Sequence, residues 1–394
     1  MKISKVEIIP FDQPYKGEMV YATGGVPAVG TFLLVRITTD EGVAGIGSGN
    51  GYTAPPRLGM GNSRESAMVL MKHLASALIG EDPLNTERLL DKLESMTAGA
   101  YAEDWWTLHH FDSALYDLKG KILGVPVYEL IGGLYRDRIP LEHIQSFLPT
   151  PEAQAVQAKE FIDAGYHSIK LHVGADPKLA VARFKAVREA VGPDIKIGTD
   201  MGAAYNVPDA LRVIEESNEY DLHYAEQPLS TYDYDGFISL RNRTKVPLVA
   251  DQSGLSVNEA YRMIKLGAFD SFHCLLPRVG GIRRAIKYAN LMEVANLDYQ
   301  ICTVGNSITQ AAGVHFAFSR RKKEKLLDEL GIFLYLHGTK DTNSITGDIV
   351  KQISGKIENG YLYPPSGPGL GVELDEEALA EFAAPDLKKI VVEA

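Results

Sequence analysis

Ser168-Ile169-Lys170-Leu171-His172-Val173 is a short β-type run in which two basic side chains, two positions apart, share one face of an extended segment. A helical stretch follows it, and the same pairing recurs along the chain. Leu141 to Phe147, Ser168 to Val173, Ile195 to Thr199, Leu222 to Ala225, Leu248 to Ala250, Ser271 to Leu276 and Tyr299 to Thr303 are each short and apolar, with starts roughly every 20 to 30 residues, the repeat of a βα unit. Seven successive units predict an α/β fold and fit a modified (β/α)8 TIM-like barrel better than a two-layer sandwich, although a doubly wound open sheet has the same local signature.

Upstream the texture differs. Ile3, Val6 and Ile8, then Phe32 to Thr39, alternate as strands, and Thr39-Asp40-Glu41-Gly42 is turn chemistry between antiparallel neighbours. From Ser63 to Gly124 the apolar spacing becomes helical, as in Leu70, Leu74, Leu78 and Ala114, Leu115, Leu118, Ile122. The Gly- and Pro-rich run from Gly360 to Gly371 reads as a loop. The expected organisation is an N-terminal α+β domain over residues 1–130, a (β/α)-barrel domain over 131–360, and a segment 361–394 that returns to the N-terminal domain.

The 394 residues are 45% apolar and 23% charged, with 51 acidic against 40 basic side chains and a net charge of −11. With no basic stripe, nucleic acid is excluded as a partner class. No apolar run approaches the roughly 20 residues that span a bilayer, and the alternating start lacks the layout of a secretory signal. A cytoplasmic protein with no membrane partner is expected. Cys274 and Cys302 are too few and too widely spaced for a disulfide framework or zinc site and read as structural thiols.

In a parallel barrel the strand C-termini face one mouth. The second strand ends at Lys170-Leu171-His172, the third at Asp200, the fourth at Glu226-Gln227 and the fifth at Asp251-Gln252. Three carboxylates on successive strands can converge there, and hard oxygen ligands suit Mg2+. Read singly, each acid is equally a helix N-cap residue; the shared register favours the metal.

These residues resemble the mandelate racemase and muconate lactonizing enzyme branch of the enolase superfamily. The segment Asp112-Ser113-Ala114-Leu115-Tyr116-Asp117-Leu118-Lys119-Gly120-Lys121 with Gly124 to Gly133, the turn Arg278-Val279-Gly280-Gly281-Ile282 and the run Gly367 to Asp375 are similar to that family's patterns. The resemblance implies that the N-terminal domain caps the barrel and that Asp200, Glu226 and Asp251 bind one Mg2+ per subunit. It also implies that Lys170 and His172 stand on the acid/base lysine-x-lysine motif. The second lysine is replaced by His172, the sixth strand reads Cys274-Leu275-Leu276-Pro277 where relatives carry a lysine or aspartate, and the seventh reads Thr303-Val304-Gly305-Asn306 where some carry a histidine. Only one face of the substrate is furnished with a base. In pattern the chain is closest to galactarate-type acid-sugar dehydratases.

The resulting expectation is a Mg2+-dependent lyase, a dehydratase of an aldarate or aldonate, working by α-proton abstraction beside a carboxylate through a metal-stabilised enediolate. The alternative is a racemase, epimerase or cycloisomerase of a carboxylate substrate, with Tyr205, His143 or Tyr21 as a second group; a non-catalytic barrel is the third. Tyr21, Tyr52, Tyr205 and Asn306 are the expected substrate-binding residues, and the family implies a homo-oligomer.

Overall fold

The computed structural model describes residues 1–14, 20–21, 24–25, 29–50, 63–99, 102–103, 105–145, 147–303, 305–322, 326–330, 348–352 and 354–394. Its centre is a parallel sheet whose seven strands lie side by side in chain order: Glu142–Gln145, Ser168–His172, Lys196–Asp200, Tyr224–Glu226, Leu248–Ala250, Ser271–Leu275 and Asp298–Cys302. Between the outermost two runs the stretch 326–330, which bridges Leu141 through Asp328 and Cys302 through Glu329, both in parallel sense. The Glu142 amide donates to the Asp328 carbonyl at 3.0 Å and the Glu329 amide to the Ile301 carbonyl at 2.9 Å, which closes the curled sheet into a barrel.

Six of the barrel helices begin where the adjacent sequence supplies a cap. Thr150, Asp176, Asn206, Asp233, Ser256 and Asn306 accept hydrogen bonds from first-turn amides, and Pro151, Pro177 and Pro208 preset the backbone of three of those turns. The caps fix where each strand end gives way to helix. They therefore fix which residues reach the mouth.

The N-terminal domain carries an antiparallel sheet in the order Ile390–Glu393, Ile3–Pro14, Val29–Thr39, Ala44–Asn50. Its outermost strand comes from the C-terminal segment. The helix Trp105–Leu123 ties this sheet to the barrel and is buried along nearly its whole length. It lies so close to Ala44–Asn50 that a Cβ on Gly47 would stand 2.0 Å from the His110 carbonyl oxygen, so only glycine fits.

Two aspartates of this helix act as clasps. Asp117 accepts from the amides of Ile46 and Leu370, each at 2.8 Å, and pairs with Lys121 at 2.7 Å. Asp112 accepts from Ile282 at 2.6 Å and Arg283 at 3.0 Å, capping the barrel helix Ile282–Val294 from across the domain boundary. Burial pushes the Asp112 carboxyl up to about 7 despite those two donors. Among the described residues no helix is long and apolar enough to cross a membrane.

Candidate active site

Alternation along the strands decides which side chains line the barrel. Lys170 and His172 face inward with 3% exposure each. The Lys170 ammonium lies 2.7 Å from Glu329 Oε1, 2.9 Å from Glu226 Oε2 and 4.0 Å from Asp200 Oδ2. Burial opposes its charge, but the carboxylates of Glu226, Glu329 and Asp200 outweigh burial and hold the amine well above its ordinary range.

His172 is oriented from behind. Its Nδ1 stands 2.7 Å from the Gln145 carbonyl oxygen, which can only accept, so Nδ1 carries a hydrogen and Nε2 is the atom turned to the mouth. Nε2 is 3.2 Å from Asp200 Oδ2.

Asp200 and Glu226 are register neighbours on adjacent strands, and Asp251 follows the fifth strand directly. Burial and then the Asp200 charge push the Glu226 carboxyl well above its ordinary range. Asp251 is held well below its own, because Arg278 and His273 outweigh burial. Arg278 donates to the Asp251 backbone oxygen at 2.8 Å and also to its carboxylate. Glu226 Oε2 is buried and faces the Lys170 ammonium at 2.9 Å. Oxygen-rich and mutually repelling, with the Asp200 and Asp251 charges both raising Glu226, the trio fits a divalent cation.

Beneath the mouth lies a second polar layer. Glu142 accepts from Ser168 Oγ at 2.5 Å, Tyr224 OH at 2.6 Å and Gln300 Nε2 at 2.5 Å. Gln300 also reaches the Leu327 carbonyl at 2.5 Å and presents Oε1 to His273 Nε2. His273 connects the two layers, 3.5 Å from Glu226 Oε2 and 3.5 Å from Asp251 Oδ1.

Sequence reasoning missed His273 and Glu329. The first lies inside an anticipated strand, and its inward register with Ser271 and Leu275 was the available signal. The second sits on a closing stretch too short to show a period.

Other expected residues have different employment. The Tyr205 hydroxyl donates to the Gly174 carbonyl. Asn306 caps the helix Ser307–Phe318 through Oδ1 and donates from Nδ2 to Ser48 Oγ at 2.7 Å. With both ends of its amide committed, it clasps the domains instead of lining the mouth. His143 points outward and stacks on Phe161 with ring centroids 3.4 Å apart, which removes it as a second base. The Tyr21 side chain and all of Tyr52 lie outside the described residues.

The sixth strand ends at Leu275, 3% exposed and inward-facing by its register with His273. It stands four strands from His172, on the opposite wall of the barrel.

The family model described as "Mandelate racemase / muconate lactonizing enzyme, N-terminal domain" matches residues 8–132, and the one described as "Enolase C-terminal domain-like" matches residues 153–378. N-succinyl-L-Arg/Lys racemase of Bacillus cereus is 32% identical over 385 residues, covering 97% of this chain and 98% of its own. The crystal structure of that racemase aligns over the full length of both chains with a TM-score of 0.86 and 31% identity. D-galactonate dehydratase of Ralstonia nicotianae is 28% identical, with 91% of this chain and 94% of its own covered. A dipeptide epimerase from Enterococcus faecalis, complexed with Mg and the dipeptide L-Leu-L-Tyr, aligns with a TM-score of 0.81 and 26% identity over 95% of this chain and all of its own.

Proposed function

As the chain belongs to the mandelate racemase and muconate lactonizing enzyme family of enolase-like proteins, we propose that it removes the α-proton of a small carboxylate substrate, with His172 as the proton carrier. The observation that carries this reading is the orientation of His172, whose Nδ1–H is fixed by the Gln145 carbonyl so that Nε2 addresses the mouth beside Asp200. Asp200, Glu226 and Asp251 would hold a Mg2+-class cation, which stabilises the negative charge that develops on the substrate carboxylate.

Around that ion each side chain has its own task. Lys170, kept charged by the glutamates, binds a substrate carboxylate oxygen. His172 Nε2 takes the proton, and Asp200 Oδ2 at 3.2 Å receives the hydrogen bond of the protonated ring. Arg278 steadies Asp251.

Isomerisation at the α-carbon is the outcome the relatives favour, since the racemase and the epimerase are among the most similar. With Leu275, among the described residues, on the wall facing His172, the proton returns from solvent or from the same ring, so α-hydrogen exchange outruns inversion. Dehydration of an acid sugar is the second reading. It is favoured by that same one-sided furnishing, because β-hydroxide departure needs no base on the far face, and the galactonate dehydratase supports it.

The test is incubation with Mg2+ in D2O and separate panels of N-acyl amino acids and sugar acids, followed by NMR. Deuterium at the α-carbon of an unchanged skeleton, with slower inversion, supports the isomerase. A 2-keto-3-deoxy product supports the dehydratase. Neither exchange nor product across both panels rejects the proposal.

A further inference from the structure

Behind the mouth three buried residues close a ring of hydrogen bonds, of which the proposed reaction uses only one. Gln145 ends the first barrel strand, Gln154 lies near the start of the helix Pro151–Asp163, and His172 ends the second strand; none is more than 3% exposed. His172 donates from Nδ1 to the Gln145 carbonyl at 2.7 Å, Gln145 from Nε2 to the Gln154 carbonyl at 2.5 Å, and Gln154 from Nε2 to the His172 carbonyl at 3.1 Å. Each acceptor is a backbone carbonyl, so each facing nitrogen must carry a hydrogen.

The ring stands where the strand ladder stops. Pairing between the first two strands ends at Leu171 opposite Gln145, so the His172 carbonyl lies one residue past the last rung. Gln154 supplies its donor from the neighbouring helix. The loop leading to that helix is pinned in turn, because Arg183 donates to the Leu148 carbonyl at 2.8 Å and its guanidinium carbon lies 4.0 Å from the Phe147 ring centroid. Packing alone does not call for two glutamines. Oε1 of each is buried with no donor among the described residues, so an apolar side chain of the same length would fill the space without burying an unmatched acceptor. What the amides supply is direction. His172 is held at its ring and at its backbone, and a reacting group misplaced by about 1 Å can lose roughly 100-fold in rate.

We infer that Gln154, fully buried behind the strand ends, is a positioning residue: through this ring it fixes where His172 Nε2 stands at the mouth. This rests on the reading of His172 as the proton carrier and adds the residue that aims it.

The experiment compares the full chain with Gln154→Met and Gln145→Met, which keep length and bulk and delete one donor each. Two readouts are taken with Mg2+ present. One is solvent exchange of the His172 Nδ1 proton, by NMR of 15N-histidine-labelled protein with His172→Asn for assignment. The other is steady-state α-proton removal on the N-acyl amino acid and sugar acid panels. In Gln154→Met the Nδ1 proton is expected to exchange at least roughly tenfold faster, and kcat to fall about 10- to 100-fold with KM within about twofold. Gln145→Met is expected to show the same pattern, and it decides alone if Gln154→Met does not fold. No protected Nδ1 proton in the parent, a signal unmoved in both variants, or an unchanged kcat beside a lower Tm makes Gln154 a structural tie and overturns the inference. Where no panel member reacts, or α-proton removal survives in His172→Asn, the proton-carrier reading fails. The Nδ1 signal, which needs no substrate, then decides alone whether Gln154 aims the ring.

Discussion

Glu142 and Glu226 are buried glutamates in the same barrel interior, at 2% and 1% exposure, and their surroundings are opposite. Glu142 is met by a hydroxyl, a phenol and an amide, enough donors to occupy both oxygens. Glu226 shares the Lys170 ammonium with Glu329 and stands among Asp200 and Asp251. The lower layer is a closed polar network that holds strands together. The upper one has acceptors in excess, the arrangement that suits binding a cation, and the difference separates scaffold from site without reference to any relative.

The largest effect is expected at the mouth. His172→Asn lowers α-hydrogen exchange by roughly 100- to 10,000-fold while the circular dichroism spectrum and Tm hold; retained exchange would move the base elsewhere. Next, Glu226→Gln abolishes most cation binding, a loss of at least roughly 100-fold by calorimetry, with unfolding free energy within about 1 kcal/mol of the parent.

The mirror experiment is Glu142→Leu. It leaves three buried donors unmatched and costs about 3–5 kcal/mol in urea unfolding, with cation affinity kept within about threefold. If Glu142→Leu weakened the cation as much as Glu226→Gln, the two layers would be one functional unit and the comparison would collapse.

Asn306→Ala tests the reassignment of that residue from substrate to clasp. Loss of the cap and of the Ser48 contact is expected to cost about 1–2 kcal/mol of stability with KM nearly unchanged; a large rise in KM with unaltered Tm would return it to the substrate. The smallest effect is at the domain clasp. An Asp112 carboxyl raised from 3.8 to about 7 means that between those values the unfolded chain has already released a proton the folded chain keeps, so stability falls as pH rises through that window. Asp112→Asn should flatten that slope of Tm against pH, and parallel slopes would show that the group does not titrate there.

What was legible in the sequence follows from the same contrast. Barrel strands two to five announce themselves because each is a short apolar run ending in an acid or, in strand two, a pair of bases, and those acids fall in register at the mouth. The eighth position was not legible: 326–330 follows a run of lysines and arginines, and its pairing consists of two bridges whose geometry depends on strands elsewhere in the chain. His273 was hidden because strand six was read at its end rather than along its inward face. Asn306 misled because a polar residue just after a strand is both where substrates bind and where helices are capped; only its contact with Ser48, 258 positions away, separates the two.

The strand Ile390–Glu393 pairs with Ile3–Pro14 on the side away from Val29–Thr39. Until Ile390–Glu393 has been synthesised and pairs, Ile3–Pro14 is an unprotected edge, and it carries Val6, Ile8 and Phe11, all fully buried in the finished fold. The window between synthesis of the first strand and arrival of its outer neighbour spans the entire barrel. Intermolecular strand pairing during expression is therefore the characteristic hazard of this architecture, and slowing late translation is expected to increase aggregation through that edge.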